Sequence, residues 1–107
     1  SNYAEMKKRR LVHKLGVVYE TTYDQTKSIP EMIKNIVDQT ENAIFDRCHF
    51  IEFANCSLDF ELVYYIPTND YVLAMSAQQE INLQIMKKFQ IENISFAYPT
   101  QTIILNK

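Results

Sequence analysis

A chain of 107 residues with 47% hydrophobic content fits one domain with a real core. Its net charge of −2 supplies no electrostatic reason for a nucleic-acid partner, and a single glycine argues against a glycine-rich phosphate loop. Two cysteines do not make a disulfide framework, there is no signal-peptide layout, and the longest apolar runs (62–66 and 71–75) fall far short of a membrane span of ~20 residues.

The chain opens on NYAEMKKRR, helix-tolerant residues ending in four positive charges at 7–10. RLVHKLGVVYETT then alternates: Leu11, His13, Leu15, Val17 and Tyr19 share one face, and Val12, Lys14, Gly16, Val18 and Glu20 the other. That is a half-buried strand. Thr21, Thr22 and Asp24 are capping residues before a helical pattern, in which Ile29, Ile33, Ile36 and Val37 recur on one face. Pro30 lies inside this region, and the expected arrangement is a helical turn over 23–28 followed by the main helix from 29 to 38. The polar run 38–42 is the exit loop.

IFDRCHFIEF (44–53) alternates again, with Cys48 and Phe50 against His49, Ile51 and Phe53. After the short break ANCS, residues 57–66 form the clearest strand: Leu58, Phe60, Leu62, Tyr64 and Ile66 line one face, and Asp59 and Glu61 stand on the other. Two strands joined so closely make an antiparallel hairpin. Asn69 and Asp70 are candidate N-caps of a long helix running to about Asn93, whose inward stripe is Ala74, Ala77, Ile81, Ile85 and Phe89 and whose Gln79, Glu80, Gln84 and Lys87 face water. IENISFAYPTQTIIL returns as strand. Pro99 should break its pairing, with Ile94 to Tyr98 joining the sheet and Thr102 to Leu105 extending toward the edge. The order β-α-β-β-α-β is the split βαβ, or ferredoxin-like, arrangement: an α+β fold, mainly antiparallel, with two helices on one face of the sheet.

Candidate chemistry is sparse. The basic run 7–10 reads as a solvated lead-in, since no aromatic stacking platform accompanies it. RNA-recognition motifs share this sheet, but their basic, glycine-bearing RNP strand is absent, and Glu52, Asp59 and Glu61 stand on the strands. Cys48, His49 and Cys56 offer three metal-ligating side chains. However, the cysteines are eight apart, Cys48 and His49 point to opposite strand faces, and no fourth ligand is evident. Cys48 reads as a buried structural thiol and His13 as a sheet-face residue. Asp59 and Glu61 form a carboxylate pair with no nucleophile or basic clamp beside them, which reads as a solvated face. An acylphosphatase-type enzyme needs an arginine-bearing, glycine-rich loop after the first strand, where this chain has Thr21-Thr22-Tyr23-Asp24. The residues therefore predict no catalytic, cofactor-binding or metal site, no enzyme activity and no cofactor. They point to a binding or assembly domain.

Three segments together resemble the C-terminal cytoplasmic α/β domain of the small-conductance mechanosensitive channel family. Asn2-Tyr3 and Arg9-Arg10 stand where that family has an asparagine-aromatic start and an arginine pair. Gly16 to Thr21 matches its GVxYxT strand, and Ile29 to Ile33 its IPxxI motif. FANCSLDFELVYYI resembles the central hairpin, with Ala54-Asn55 where the family often has Gly-Asp. Ile81-Asn82-Leu83, Ile94 to Phe96 and Pro99 to Thr102 resemble the closing helix and strand.

The resemblance implies a cage domain of a tension-gated channel, with a structural role in the vestibule, that releases ions and small osmolytes under hypo-osmotic stress. The full protein would be a membrane homoheptamer, with transmembrane helices and a β-domain before residue 1 and this domain on the cytoplasmic side. Residues 1–9 would be the lead-in from that β-domain, and 10–107 the α/β domain. An axial β-barrel strand in the family can follow the apolar end Ile103-Ile104-Leu105. The isolated fragment is expected to be a monomer or weak oligomer. The alternative from another class is a stand-alone ferredoxin-like domain for small-molecule sensing or oligomerisation.

Overall fold

A computed structural model describes residues 8–98. Strand β1 spans Lys8–Val17, helix α1 Tyr23–Asp38, strand β2 Ile44–Phe53, strand β3 Leu58–Pro67 and helix α2 Tyr71–Ile91. The sheet order is β1-β3-β2, with β3 antiparallel to both neighbours. β1 and β2 therefore run parallel with β3 inserted between them, which is the split βαβ expected. Both helices cover one face, where Ile29, Ile33 and Val37 of α1 and Ile81, Ile85 and Phe89 of α2 share one core with Val17, Cys48, Leu58, Phe60, Leu62, Tyr64 and Ile66. The α+β class and the inward stripes of both helices stand as the sequence predicts.

Local chemistry explains the element boundaries. Thr22 caps α1: its side chain accepts from the Gln25 N–H at 3.1 Å, and the Gln25 side chain accepts from the Thr22 N–H at 2.9 Å. This reciprocal box satisfies two orphan donors of the first turn. The Gln25 amide also donates to the Glu92 carbonyl at 3.0 Å, tying the start of α1 to the end of α2. Asp70 caps α2 by accepting from the Val72 and Leu73 N–H groups. At the other end Asn93 takes the left-handed conformation (φ 60°). Its N–H donates to the Gln90 carbonyl, and the N–H of buried Ile94 donates to the Phe89 carbonyl at 2.8 Å. That is a Schellman ending, and it stops α2 at Ile91 rather than near Asn93.

Three sequence expectations change. First, α1 is one continuous helix across Pro30 rather than a turn followed by a helix. Proline deprives the Thr26 carbonyl of its partner, a cost of about 3 kcal/mol. The capping box starts the helix upstream of that defect, and burial of Ile29, Met32, Ile33 and Val37 on one stripe outweighs it.

Second, the alternation in β2 is interrupted by register shifts between Phe45 and Arg47 and between Phe50 and Glu52. A bulge inserts one unpaired residue and so reverses the facing of everything beyond it. Phe53 consequently pairs with Leu58 on the helix-covered face, and its ring meets Phe50 edge-on at 5.0 Å, whereas simple alternation puts the two on opposite faces.

Third, the closing strand is reduced, among the described residues, to one antiparallel bridge between Val17 and Phe96. It is flanked by Val18 N–H to the Ser95 carbonyl (3.1 Å) and Ala97 N–H to the Gly16 carbonyl (2.9 Å). It sits at the outer edge of β1, the place a fourth strand would take. The expected break at Pro99 and the apolar end 103–105 lie outside the described residues.

Candidate assembly surfaces

The residues singled out for chemistry are held apart by the fold. Lys8, Arg9 and Arg10 are exposed along the first turns of β1, alternating between the two sheet faces. Lys8 lies over the Tyr65 ring at 5.8 Å and Arg9 over the Tyr71 ring at 5.4 Å, so these two cations of the basic run rest on aromatic neighbours. Lys7 lies outside the described residues.

Cys48 is buried in the core, and burial pushes its thiol up to about 12. His49 is exposed on the opposite face, across from Glu61, and Cys56 is exposed in the turn after β2. The three do not converge. Among the described residues no group of three or more histidine, cysteine or acidic side chains is gathered tightly enough to hold a metal ion.

His13 lies on the core face of β1, stacked on Tyr64 with centroids 5.5 Å apart. Its Nε2 is 3.4 Å from the Tyr64 hydroxyl and 3.5 Å from the Gln78 amide nitrogen. Burial lowers the histidine pKa and raises that of Tyr64 to about 12, so both are neutral at physiological pH. This cluster places polar groups between β1, β3 and α2, where one imidazole nitrogen faces both the tyrosine hydroxyl and the glutamine amide.

Asp59 and Glu61 stand on the face away from the helices. Asp59 accepts from the Ser57 hydroxyl at 2.6 Å, and Glu61 sits opposite Lys14 on one side and His49 on the other. Gly16, the chain's single glycine, pairs with Asp59. A Cβ there would come within 3.1–3.2 Å of the Ser57 side chain and 3.3 Å of the Asp59 carboxylate. A side chain here is tight against its neighbours, and the glycine leaves room for the Ser57–Asp59 hydrogen bond.

What the fold does present is unpartnered apolar surface. The outer edge of β2 has no strand partner among the described residues. Its two bulges interrupt the ladder an approaching strand would need, a common protection of free edges. Ile44, Ile51 and Phe53 are nevertheless exposed along it, Phe53 at 73%. Phe50 stacks on buried Phe60 at 5.2 Å and passes the aromatic cluster outward to Phe53. On the sheet face away from the helices Val63 is fully buried between its cross-strand neighbours Val12 and Arg47, with no helix or strand over it among the described residues.

Helix α2 has a second apolar stripe facing away from the core: Val72, Met75, Leu83 and Met86, all exposed. Between α1 and α2 lies an open depression lined by Met32, Ile36 and Gln39 of one side and Gln84, Lys87 and Ile91 of the other, and a neighbouring one shares Ile36, Gln39 and Gln84 and reaches Glu41 and Glu80. Sequence reasoning assigns the inward stripe of α2 and gives the outward side to water on Gln79, Glu80, Gln84 and Lys87, leaving its apolar members uncounted. The signal was present: four aliphatic side chains at helical spacing on a face whose polar members, Gln79 and Gln90, carry no charge. No described helix is long and apolar enough to cross a membrane.

Comparison with known proteins gives this surface its context. Residues 11–96 match the family model described as mechanosensitive ion channel MscS, C-terminal. The chain is 33% identical over 101 residues to the small-conductance mechanosensitive channel MscMJ of Methanocaldococcus jannaschii, covering 94% of this chain and 29% of that protein. It is 35% identical over 98 residues to the large-conductance channel MscMJLR of the same organism, covering 87% and 27%. It is 27% identical over 110 residues to the low conductance mechanosensitive channel YnaI of Escherichia coli, covering 98% and 31%. The fold superposes on the cryo-EM structure of Arabidopsis thaliana MSL1 with a TM-score of 0.74 at 13% identity, over 87% of this chain and 35% of that one. The chain thus spans under a third of the length of these curated relatives. With the family model matched across nearly the whole described domain, the chain belongs to the MscS family of mechanosensitive ion channels and carries its C-terminal domain.

Proposed function

We propose that this chain is the cytoplasmic cage domain of a channel subunit whose pore opens under membrane tension and releases ions and small osmolytes on hypo-osmotic stress. The observation that carries the proposal is the family match over residues 11–96, laid on a domain that completes its own core yet leaves edges and helix faces apolar and uncovered. Residues 1–9 lead in from a preceding β-domain, and 10–107 form one wall segment of the vestibule. Membrane-spanning helices lie upstream in the same subunit, and seven subunits close the ring. The role is structural: the domain shapes the path between pore and cytoplasm and needs no catalytic group or cofactor. Tethering by the membrane helices raises the effective concentration of neighbouring domains to about millimolar, so weak lateral contacts suffice.

The test is electrical. The full reading frame that contains this chain is expressed in cells deleted for their own mechanosensitive channels, and membrane patches are recorded under suction. The proposal expects pressure-activated conductance and survival of a hypo-osmotic downshift. Membrane-inserted protein that gives neither contradicts it.

A further inference from the structure

We infer that the outward face of α2 is a self-complementary contact that pairs two copies of this domain antiparallel, about a two-fold axis through Leu83. At 3.6 residues per turn, Val72, Met75, Gln79, Leu83, Met86 and Gln90 fall on one stripe opposite the buried stripe Ala74, Ala77, Ile81, Ile85 and Phe89. The four aliphatic members are exposed at 71, 41, 49 and 51% in chain order. A surface helix ordinarily buries one face and charges the other, and this helix is apolar on both.

The placement of charge selects the partner. Helix α2 carries only three charged side chains, and Lys88 is bridged to Glu92 at 3.3 Å. The other two, Glu80 and Lys87, are exposed and have no ion-pair partner among the described residues; Glu80 accepts only from the Gln84 amide at 3.0 Å. Both lie on the same flank of the stripe, the one facing α1, about 10.5 Å apart along the axis. The opposite flank, with Tyr71, Gln78 and Asn82, has no charged residue of the helix itself; the cation beside it is Arg9 of β1, over the Tyr71 ring at the helix start and three turns from Asn82.

When two identical helices pack antiparallel, like flanks meet, so Glu80 of each copy comes opposite Lys87 of the other. Glu41, which lines the depression beside Glu80, adds to the acidic end that receives the lysine. A parallel pairing sets this flank against the one that has no helix charge and leaves Glu80 and Lys87 unmatched, since Arg9 beside Tyr71 lies about 13.5 Å along the axis from the level of Glu80. A two-fold contact is isologous and closes after two copies, so it cannot repeat round a ring and stands independently of the cage arrangement proposed above. One helix pair buries less than the ~1,200 Å² of a stable interface, so the dimer is weak.

The experiment is sedimentation velocity on the 107-residue chain over a dilution series reaching about 500 µM, at low and high salt, with melting curves to verify that each variant is folded. The parent is expected to move from one chain toward two with rising concentration, and less so at high salt. Glu80→Lys and Lys87→Glu each place like charges opposite one another and weaken dimerisation by about tenfold or more. The double variant recovers it, and an equimolar mixture of the two single variants associates more tightly than either alone. Leu83→Glu removes association. A parent that stays monomeric throughout, a concentration-independent larger ring, or single variants that do not complement on mixing each overturns the inference.

Discussion

Truncating Phe89 to alanine tests the central packing claim of the fold. Phe89 is 1% exposed on the inward stripe of α2, and its ring stacks on Phe96 with centroids 4.8 Å apart. An aromatic side chain buries about 150–250 Å², which at about 25 cal/mol per Å² is roughly 4–6 kcal/mol of transfer free energy. Alanine keeps a fraction of that, and partial collapse of the site recovers a little more. The expected loss is about 3–5 kcal/mol, as for other buried phenylalanines. Domains of this kind have about 5–15 kcal/mol in total, so the variant should be barely folded or melt more than about 10 °C lower. Far-UV circular dichroism during heating and in urea reads both quantities. Phe96→Ala should cost less, because Phe96 is only partly buried. A Phe89→Ala variant that melts within about 2 °C of the parent, with unchanged urea midpoint, would refute the assignment of this helix face to the core.

Three further outcomes follow from named contacts. Gly16→Ala should destabilise by about 1–3 kcal/mol, because the new Cβ overpacks against Ser57, and Ser57→Gly in the same chain should restore most of the loss; urea midpoints of the single and double variants decide it. Stability should fall as pH drops below about 6.5. His13 has its pKa lowered by burial, so the unfolded chain binds the proton more readily, the contribution is fully present above that pH, and it is lost on acidification toward the folded-state pKa; His13→Gln should flatten this part of the pH profile. Cys56 should be alkylated by iodoacetamide at pH 8 in the native protein while Cys48 is not, because burial holds the Cys48 thiol neutral; mass spectrometry should find one label natively and two after denaturation.

The elements most legible in the sequence were those whose signal is local and redundant. Leu58 to Ile66 alternate without interruption, and the strand they predict is the central one, paired on both sides. Ala74, Ala77, Ile81, Ile85 and Phe89 recur at helical spacing, and all five are buried. The misreadings arose where a tertiary effect outweighs a local rule. Pro30 announces a helix start, yet burial of the residues around it carries α1 straight through. β2 looks like a simple alternating strand, and nothing in its composition marks the two residues that bulge. Only the register against β3 places Phe53 beside Phe50. Cys48 reads as a buried thiol and is buried in the core, while its neighbour His49 is exposed, as expected of adjacent residues on a strand, which point to opposite faces.

The site was harder to read than the fold because its chemistry is that of ordinary side chains in an unusual place. A catalytic centre draws attention through residue types that rarely occur together. An assembly surface is made of leucine, methionine, valine and glutamine, which also build cores. On α2 the two uses occupy opposite faces of one helix, so the hydrophobic periodicity that locates the inward face is blurred by the outward one. What separates them is charge. The inward stripe needs none, and the outward stripe is bordered on one side by Glu80 and Lys87, spaced by seven residues. In a monomer that spacing stabilises nothing, since an intrahelical pair forms at three or four residues. Across an antiparallel partner the same spacing places each charge opposite its complement, which makes these two residues, rather than the apolar ones, the informative part of the surface.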